Sequence, residues 1–370
     1  MMKRTKAIIV SGAAAAGFFL LSCTSPTSPP LSPPVSTNTG PAVEQREADL
    51  RAALDAVVVA DGVDFSFIVK RTDGRTFRYE RGTSTLNTLY QSASTSKLVS
   101  AVIILRQLDK CALSLSDHPS NWLSPTIWTI GNDPTLKDIT LSQLLSFTSG
   151  LKTEPAAMDS GSTGFFVVVN LIGQSNAGNG RIPGAGFYYG SAHLQVAGAM
   201  AIKARGKTSW QELFREFQAE TGLFPNGDYD LPSTNNPRLA GGMHWTGEEY
   251  FAFLKALQGG QLLSPAMMAE LLQDRTGAGV TIEYSPAKLQ INEDWHYGFG
   301  FWQEVRPPDT IPIPGDRISS AGSYGAYPYW DRSKDLIGFL ARQGSNASGF
   351  IGVNIERAVR TQIEAWATTP

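Results

Sequence analysis

The pattern Ser-x-x-Lys occurs at three places in the 370 residues: Ser94-Thr95-Ser96-Lys97, Ser149-Gly150-Leu151-Lys152 and Ser285-Pro286-Ala287-Lys288. On a helix this spacing projects both side chains onto one face and sets an amine beside a hydroxyl. A serine hydroxyl is a weak nucleophile until a neighbouring base takes its proton. Lysine serves as that base once burial or a nearby cation lowers its pKa from about 10.4. The chemistry implied is acyl transfer through a serine ester. Ordinary serine and lysine usage yields about one or two such matches by chance in a chain this long, so context must separate them.

Context favours the first. Leu98, Val102, Ile103, Leu105 and Leu108 continue an apolar helical stripe after Lys97 with no Pro or Gly, which predicts a helix opening at Ser94. The free N–H groups and dipole of that terminus favour negative charge on the serine oxygen. Ser149 is followed by glycine and a Thr153-Glu154-Pro155 break, and Ser285 by proline in an unpatterned segment. The sequence has no G-x-S-x-G elbow, dinucleotide loop or Walker A motif. His118, His193, His244, His296 and two cysteines lack zinc-site spacing, so neither a metal nor an organic cofactor is expected. The formal charge of −2 is more negative still without Lys3, Arg4 and Lys6 of the leader, so nucleic acid is not an expected partner.

These residues need a scaffold, and 42% hydrophobic with 17% charged side chains is ample for a buried core. An amphipathic helix runs from Ala42 to Val59. A hairpin follows, with Phe65, Phe67 and Val69 alternating, a turn at Arg71-Thr72-Asp73-Gly74, then Phe77 and Tyr79. Helical stretches such as Ser142–Leu145, Leu194–Lys203, Ser209–Phe217 and Glu248–Leu257 fill the middle, with long loops such as Glu154–Asn179. Period two returns in Tyr297–Trp302, Arg317–Trp330 and Leu336–Arg342, and Val353–Trp366 closes the chain as a helix. The class is α+β: an antiparallel sheet built from both termini (about 42–97 and 290–370), flanked by the N- and C-terminal helices, with an inserted, mostly helical part at about 98–289.

Upstream lies an address. Basic Met1–Lys6 and apolar Ala7–Leu21 form a secretory signal too short to span about 30 Å of hydrocarbon comfortably. Leu20-Leu21-Ser22-Cys23 resembles a bacterial lipobox, which implies cleavage after residue 22 and lipid on Cys23. Thr24 at the next position implies the outer membrane and its periplasmic face. Residues 23–41, rich in Pro, Ser and Thr, are expected to be a tether. With Cys23 lipidated no disulfide is expected, and Cys111 reads as a buried apolar filler.

Ser94–Lys97, preceded by Tyr90-Gln91-Ser92-Ala93, resembles the nucleophile motif of the penicillin-recognising serine hydrolases, the group of class C β-lactamases, D-alanyl-D-alanine carboxypeptidases and family VIII carboxylesterases. Ile139–Leu151 is similar to a stretch common in that group and accounts for Ser149 as a structural loop residue. Pro183–Ser191 resembles the segment carrying its Tyr-x-Asn motif, and Leu239-Ala240-Gly241-Gly242 a glycine turn before a helix. The resemblance covers about residue 42 to the end and implies the β-lactamase/transpeptidase fold. It implies Ser94 as nucleophile, Lys97 as general base and Tyr189, adjacent to Tyr188, as the phenolic acid/base. Ser320-Ala321-Gly322 takes the place of the group's Lys-Thr-Gly or His-x-Gly. The N–H groups of Ser94 and Ser323 would then form an oxyanion hole, with Gly322 allowing close approach. Pro328 fits an edge strand beside the cleft.

Two positions depart from the group: Ser191 replaces asparagine, and Ser320 replaces the cation that pairs with a substrate carboxylate. Arg317 does not substitute, because an odd offset on a strand points it to the opposite face. An uncharged ester needs no such partner, and Trp295, Tyr324, Tyr327, Tyr329 and Trp330 either wall an acyl pocket or pack the core. The expected activity is therefore hydrolysis of carboxylic esters, with a small-molecule ester or amide as partner. A β-lactamase or D-Ala-D-Ala carboxypeptidase, and a non-catalytic cell-wall binding lipoprotein, are the alternatives.

Overall fold

The computed structural model describes residues 40–131, 133–305 and 317–370, so the leader, Cys23 and most of the tether lie outside the described residues. Helix α1, Pro41–Ala56, begins with proline at its first position, where the missing N–H costs nothing, and buries Val43, Leu50 and Leu54. It lies against the C-terminal helix. The hairpin of β1, Ser66–Lys70, and β2, Thr76–Glu80, turns where the Asp-Gly signal stands. Helix α2, Ser96–Asp109, is buried from Ser96 to Gln107, and its all-round apolar surface makes it the axis of the molecule. Helices α3, Ala192–Ala204, and α4, Gly247–Gln258, are also mostly buried. Thr246 and Glu249 close a capping box at the start of α4.

The principal sheet is completed by β3, His296–Tyr297, β4, Trp302–Gln303, β5, Arg317–Ser319, β6, Tyr327–Asp331, and β7, Leu336–Ala341. The order β3-β4-β5-β6-β7-β1-β2 is antiparallel throughout and joins the two chain ends through the β7–β1 ladder, Ser66 opposite Ala341 and Lys70 opposite Ile337. Helix α5, Ile351–Thr368, sets Trp366 against Phe77, whereas α4 covers the other face, with Tyr250 stacked on Phe339 at 4.7 Å. The α+β reading and its sheet of both termini hold.

Several local expectations need correction. Tyr297–Trp302 is not one strand but a hairpin, closed by the Gly298 N–H donating to Phe301 O. Gly300 has φ +77, and a Cβ there would lie 2.6 Å from Lys97 O, so the turn exists to let the backbone touch α2. Pro328 is in a central strand. Its carbonyl accepts from Ser320, and its missing N–H falls where β5 has already ended. Ser285 caps a short helix, Pro286–Ile291, because proline at the first helical position starts a helix rather than breaking one. The expected loop Glu154–Asn179 contains a helix, Phe165–Asn176, whose Val168, Val169 and Ile172 are buried. Cys111 is exposed on the turn after α2, at φ 55, rather than a buried filler.

Beneath the sheet, the fully buried Arg317 guanidinium pairs with Asp331 and Glu356, and Arg360 joins Glu356. Burial raises the Glu356 carboxyl pKa, but the two guanidinium groups outweigh it and the net shift is downward. Removing one member leaves uncompensated buried charge. Arg317→Met is expected to cost about 3–5 kcal/mol near neutral pH, read by urea unfolding. The depressed carboxylate pKa contributes stability above its unfolded value, lost as pH falls through the folded one. The gap between wild type and variant should therefore narrow in acid.

Candidate active site

A short 3-10 turn, Ala93–Thr95, leads into α2 and presents Ser94 half-buried at the floor of a cavity of about 470 Å³. Ala93 takes φ 44, a left-handed conformation uncommon for a residue with a Cβ. Its carbonyl accepts from the Ser96 and Ser92 hydroxyls, both at 2.9 Å. Thr95 is the bolt. It is buried, its Oγ1 donates to Ser92 O and accepts from Trp245 Nε1, and its carbonyl accepts from the Tyr250 hydroxyl, the last two at 2.8 Å.

Lys97, one turn on, is 3% exposed; its Nζ donates to Ser94 Oγ and to Ala240 O, each at 2.9 Å. Burial disfavours the ammonium and brings the pKa down to about 7; Glu154 opposes this and Arg238 assists it. Near neutrality the amine is thus available as an acceptor for the serine proton. The same nitrogen lies 4.6 Å from the centre of the Tyr189 ring. Tyr189 stacks on Trp302 at 4.8 Å and meets Phe147 edge-on. Burial pushes its phenol well above 10, partly offset by hydrogen bonding to Ser94 and Trp302, so the group is protonated at neutral pH and can give a proton.

Gly322 crosses directly over the turn: a Cβ there would lie 2.9 Å from Ser92 O and 3.1 Å from Thr95 Cγ2. Its absent side chain therefore serves backbone packing on the turn that carries Ser94. Ser323 lines the cavity together with Ser94, and among the described residues neither backbone N–H donates to a backbone carbonyl. Two donors remain for an oxygen of a bound group. Ser320 is different. It is 3% exposed, does not line the cavity, and donates its hydroxyl to Ser94 O at 3.2 Å. It supports the Ser94 backbone and does not face the cavity. Ser191 lines the cavity, but its backbone N–H, not its hydroxyl, makes the contact, donating to Glu154 Oε1.

The other two Ser-x-x-Lys matches form no such pair. Ser149 is held by His193 at 2.8 Å, and burial brings that histidine down to about 4. Ser285 is a cap, with Lys288 paired to Asp294. Of the two readings of the C-terminal aromatics, Trp295, Tyr327 and Tyr329 take the core one, Arg317 lying 4.1 Å from the Tyr329 ring centre, and Tyr324 and Trp330 do not line the cavity. The walls are Tyr188, Tyr284, Trp302 and Phe350. Tyr188 and Tyr284 stack at 5.1 Å across a parallel pairing of Gly186–Tyr188 with Thr281–Tyr284. Sequence reasoning missed Lys152, Glu154, Tyr284 and Phe350 as cavity residues and read Trp302 only as part of a strand; Lys152 and Glu154 come from a loop with no periodic signal, and Tyr284 from a short strand.

A helix-borne serine and buried lysine, a neighbouring phenol and two backbone donors define the arrangement, and the Beta-lactamase family model matches residues 51–350. The chain belongs to that family. It is a serine hydrolase by membership, as the sequence motifs imply. Solved structures agree on the fold. A Bacteroides dorei protein described as a beta-lactamase is 24% identical, with 85% of this chain and 98% of that one covered and a TM-score of 0.68. EstCE1, a hydrolase with promiscuous acyltransferase activity, is 19% identical over 86% and 98%, at 0.67. D-amino acid amidase from Ochrobactrum anthropi SV3 is 16% identical over 87% and 99%, at 0.63. No curated protein matches the sequence.

Adding one carbon at Gly322 is expected to displace the Ala93–Thr95 turn and misalign Ser94. Gly322→Ala should lower the rate of Ser94 acylation roughly 10- to 100-fold with the melting temperature little changed. Stopped-flow acylation alongside calorimetry checks this, and an unaltered rate would show that the turn tolerates the contact.

Proposed function

We propose that the chain hydrolyses carboxylic esters through an acyl-enzyme on Ser94. The carrying observation is the 2.9 Å contact between Lys97 Nζ and Ser94 Oγ at the floor of an open cleft. In this reading neutral Lys97 accepts the hydroxyl proton as Ser94 Oγ bonds to the acyl carbon. The N–H groups of Ser94 and Ser323 receive the oxyanion, and the departing alkoxide takes a proton relayed through Tyr189. Water then attacks the acyl-enzyme by the reverse proton path, releasing the acid and restoring Ser94.

The preference for an ester is supported by charge. Ser320 carries none and is turned away from the cavity, and Lys152, a cation at the wall, is paired with Glu283. Among the described residues a substrate carboxylate finds no uncommitted partner there. Aromatic walls suit an apolar acyl or leaving group. The similarity to EstCE1 points the same way, and that to the D-amino acid amidase keeps amides within reach of the same chemistry.

A fluorophosphonate probe is expected to label wild type but not Ser94→Ala. Labelling should rise with pH through about 7, as Lys97 loses its proton, and fall by roughly 10²–10⁴ in Lys97→Ala. p-Nitrophenyl butyrate should turn over faster than a chromogenic cephalosporin; the reverse order would assign the site to β-lactams, and no labelling would leave a binding protein.

We also propose that Cys23 carries the lipid that anchors the domain to the envelope. Mass analysis of the N-terminal peptide should show the acyl mass. A thiol joined to Cys111 cannot carry lipid, so a Cys23–Cys111 peptide in a non-reduced digest would overturn the anchor.

A further inference from the structure

Among the described residues, Glu154 is a carboxylate that reaches both halves of the machinery. It lines the cavity, and its two oxygens are divided between two segments. Oε1 accepts the N–H of Ser191, two residues beyond Tyr189. Oε2 accepts Arg238 Nη2 at 2.9 Å, two residues before Ala240, whose carbonyl receives Lys97 Nζ. The Arg238 carbonyl also accepts the N–H of Gly241 and of Gly242, so the guanidinium and the turn that meets Lys97 move as one piece. Gly190 leaves room for the carboxylate: a Cβ there would lie 3.1 Å from Oε1.

We propose that Glu154 is a positioning residue for the hydrolysis, a clasp that ties the loop carrying Tyr189 to the turn holding Lys97 and sets the negative field at that amine. The inference rests on the reading of Ser94 and Lys97 given above. The charged and titratable groups facing Lys97 are Glu154 from its loop, Arg238 from the turn, the Tyr189 phenol, and His193 from α3. Burial works against the Glu154 carboxylate, but the Ser191 N–H, Arg238, Lys97 and His193 prevail and hold it ionised. Glu154 and Arg238 then pull on Lys97 in opposite senses, the first favouring its ammonium and the second its free amine.

Opposite pulls give opposite variants. In Glu154→Gln the size and the acceptor for Ser191 are kept while the anion is lost, so Lys97 releases its proton more readily. The acidic limb of kcat/KM for p-nitrophenyl butyrate should move down by about half to one pH unit. Arg238→Gln should move it up. The experiment compares both with the full-length wild type, with near-ultraviolet circular dichroism to confirm folding. A Glu154→Gln limb that superimposes on wild type, whatever the change in amplitude, overturns the proposal, and this variant decides alone if Arg238→Gln does not fold. Absence of ester hydrolysis and of Ser94 labelling in the wild type would instead overturn the underlying reading of the serine and lysine, and this inference with it.

Discussion

A primary amine withdrawn from water must either find a counter-ion or give up its proton, and the structure is organised around that choice at Lys97. Its helix is buried along nearly its whole length, so the amine cannot reach solvent by bending its stem. Its direct partners are a hydroxyl and a carbonyl, neither of which neutralises a positive charge. Desolvation is therefore the largest influence, and it leaves the group near half-ionisation at neutral pH, where a base of the serine hydroxyl is most effective. Glu154 and Arg238 stand at greater distance with opposed charges and trim the balance rather than reverse it.

Holding a hydroxyl against such an amine requires the surrounding backbone to come unusually close. Two glycines make this possible. A Cβ at Gly300 would lie 2.6 Å from the Lys97 carbonyl oxygen, and one at Gly322 2.9 Å from that of Ser92. Each follows a different strand of the principal sheet. The site is thus the place where two chain crossings meet α2 and the turn before it, and it is fixed from below by Thr95, whose hydroxyl and carbonyl are both spoken for by buried aromatic side chains. An unsatisfied polar group at that depth would cost about 1–3 kcal/mol, which is why Trp245 and Tyr250 contribute their polar tips there. Ala93 keeps its left-handed backbone because its carbonyl is gripped by two serine hydroxyls.

The same physics explains what could be read from the sequence. Ser94 and Lys97 are the ends of a four-residue span one helical turn long, and the stripe Leu98–Leu108 announces the helix that aligns them, so their juxtaposition is a local property. The hairpin Ser66–Glu80 and the helices at both ends are local too, and their pairing into one sheet follows from alternation near both termini. Glu154, Tyr284, Trp302 and Phe350 are not of this kind. Each reaches the cavity through contacts distant in sequence, Glu154 from a loop and Tyr284 and Trp302 from short strands, and nothing within a few residues of them records that. Tyr297–Trp302 failed for a related reason: glycines alternating with aromatics mimic a strand, whereas Gly300 is there to touch α2. Ser320 shows the limit of transferring a motif by position. The strand end arrives where the motif places it, but the side chain supports the Ser94 carbonyl instead of facing the cavity.

Exclusion of water links the base to the proposed choice of substrate. A site apolar enough to keep Lys97 half-neutral also penalises any charge that a ligand brings, unless an uncommitted opposite charge waits for it. Lys152 is paired with Glu283, Arg238 with Glu154 and Asp159, and Arg317 lies buried with Asp331 and Glu356. An anionic substrate would have to displace one of these partners and approach Glu154 besides. In the proposed reaction a neutral ester loses little hydration on entering the aromatic-walled cavity and develops negative charge only in the transition state, at the oxygen that would face the Ser94 and Ser323 N–H groups. The charge then appears where donors wait for it, which is the condition under which binding energy lowers a barrier rather than deepening the bound state.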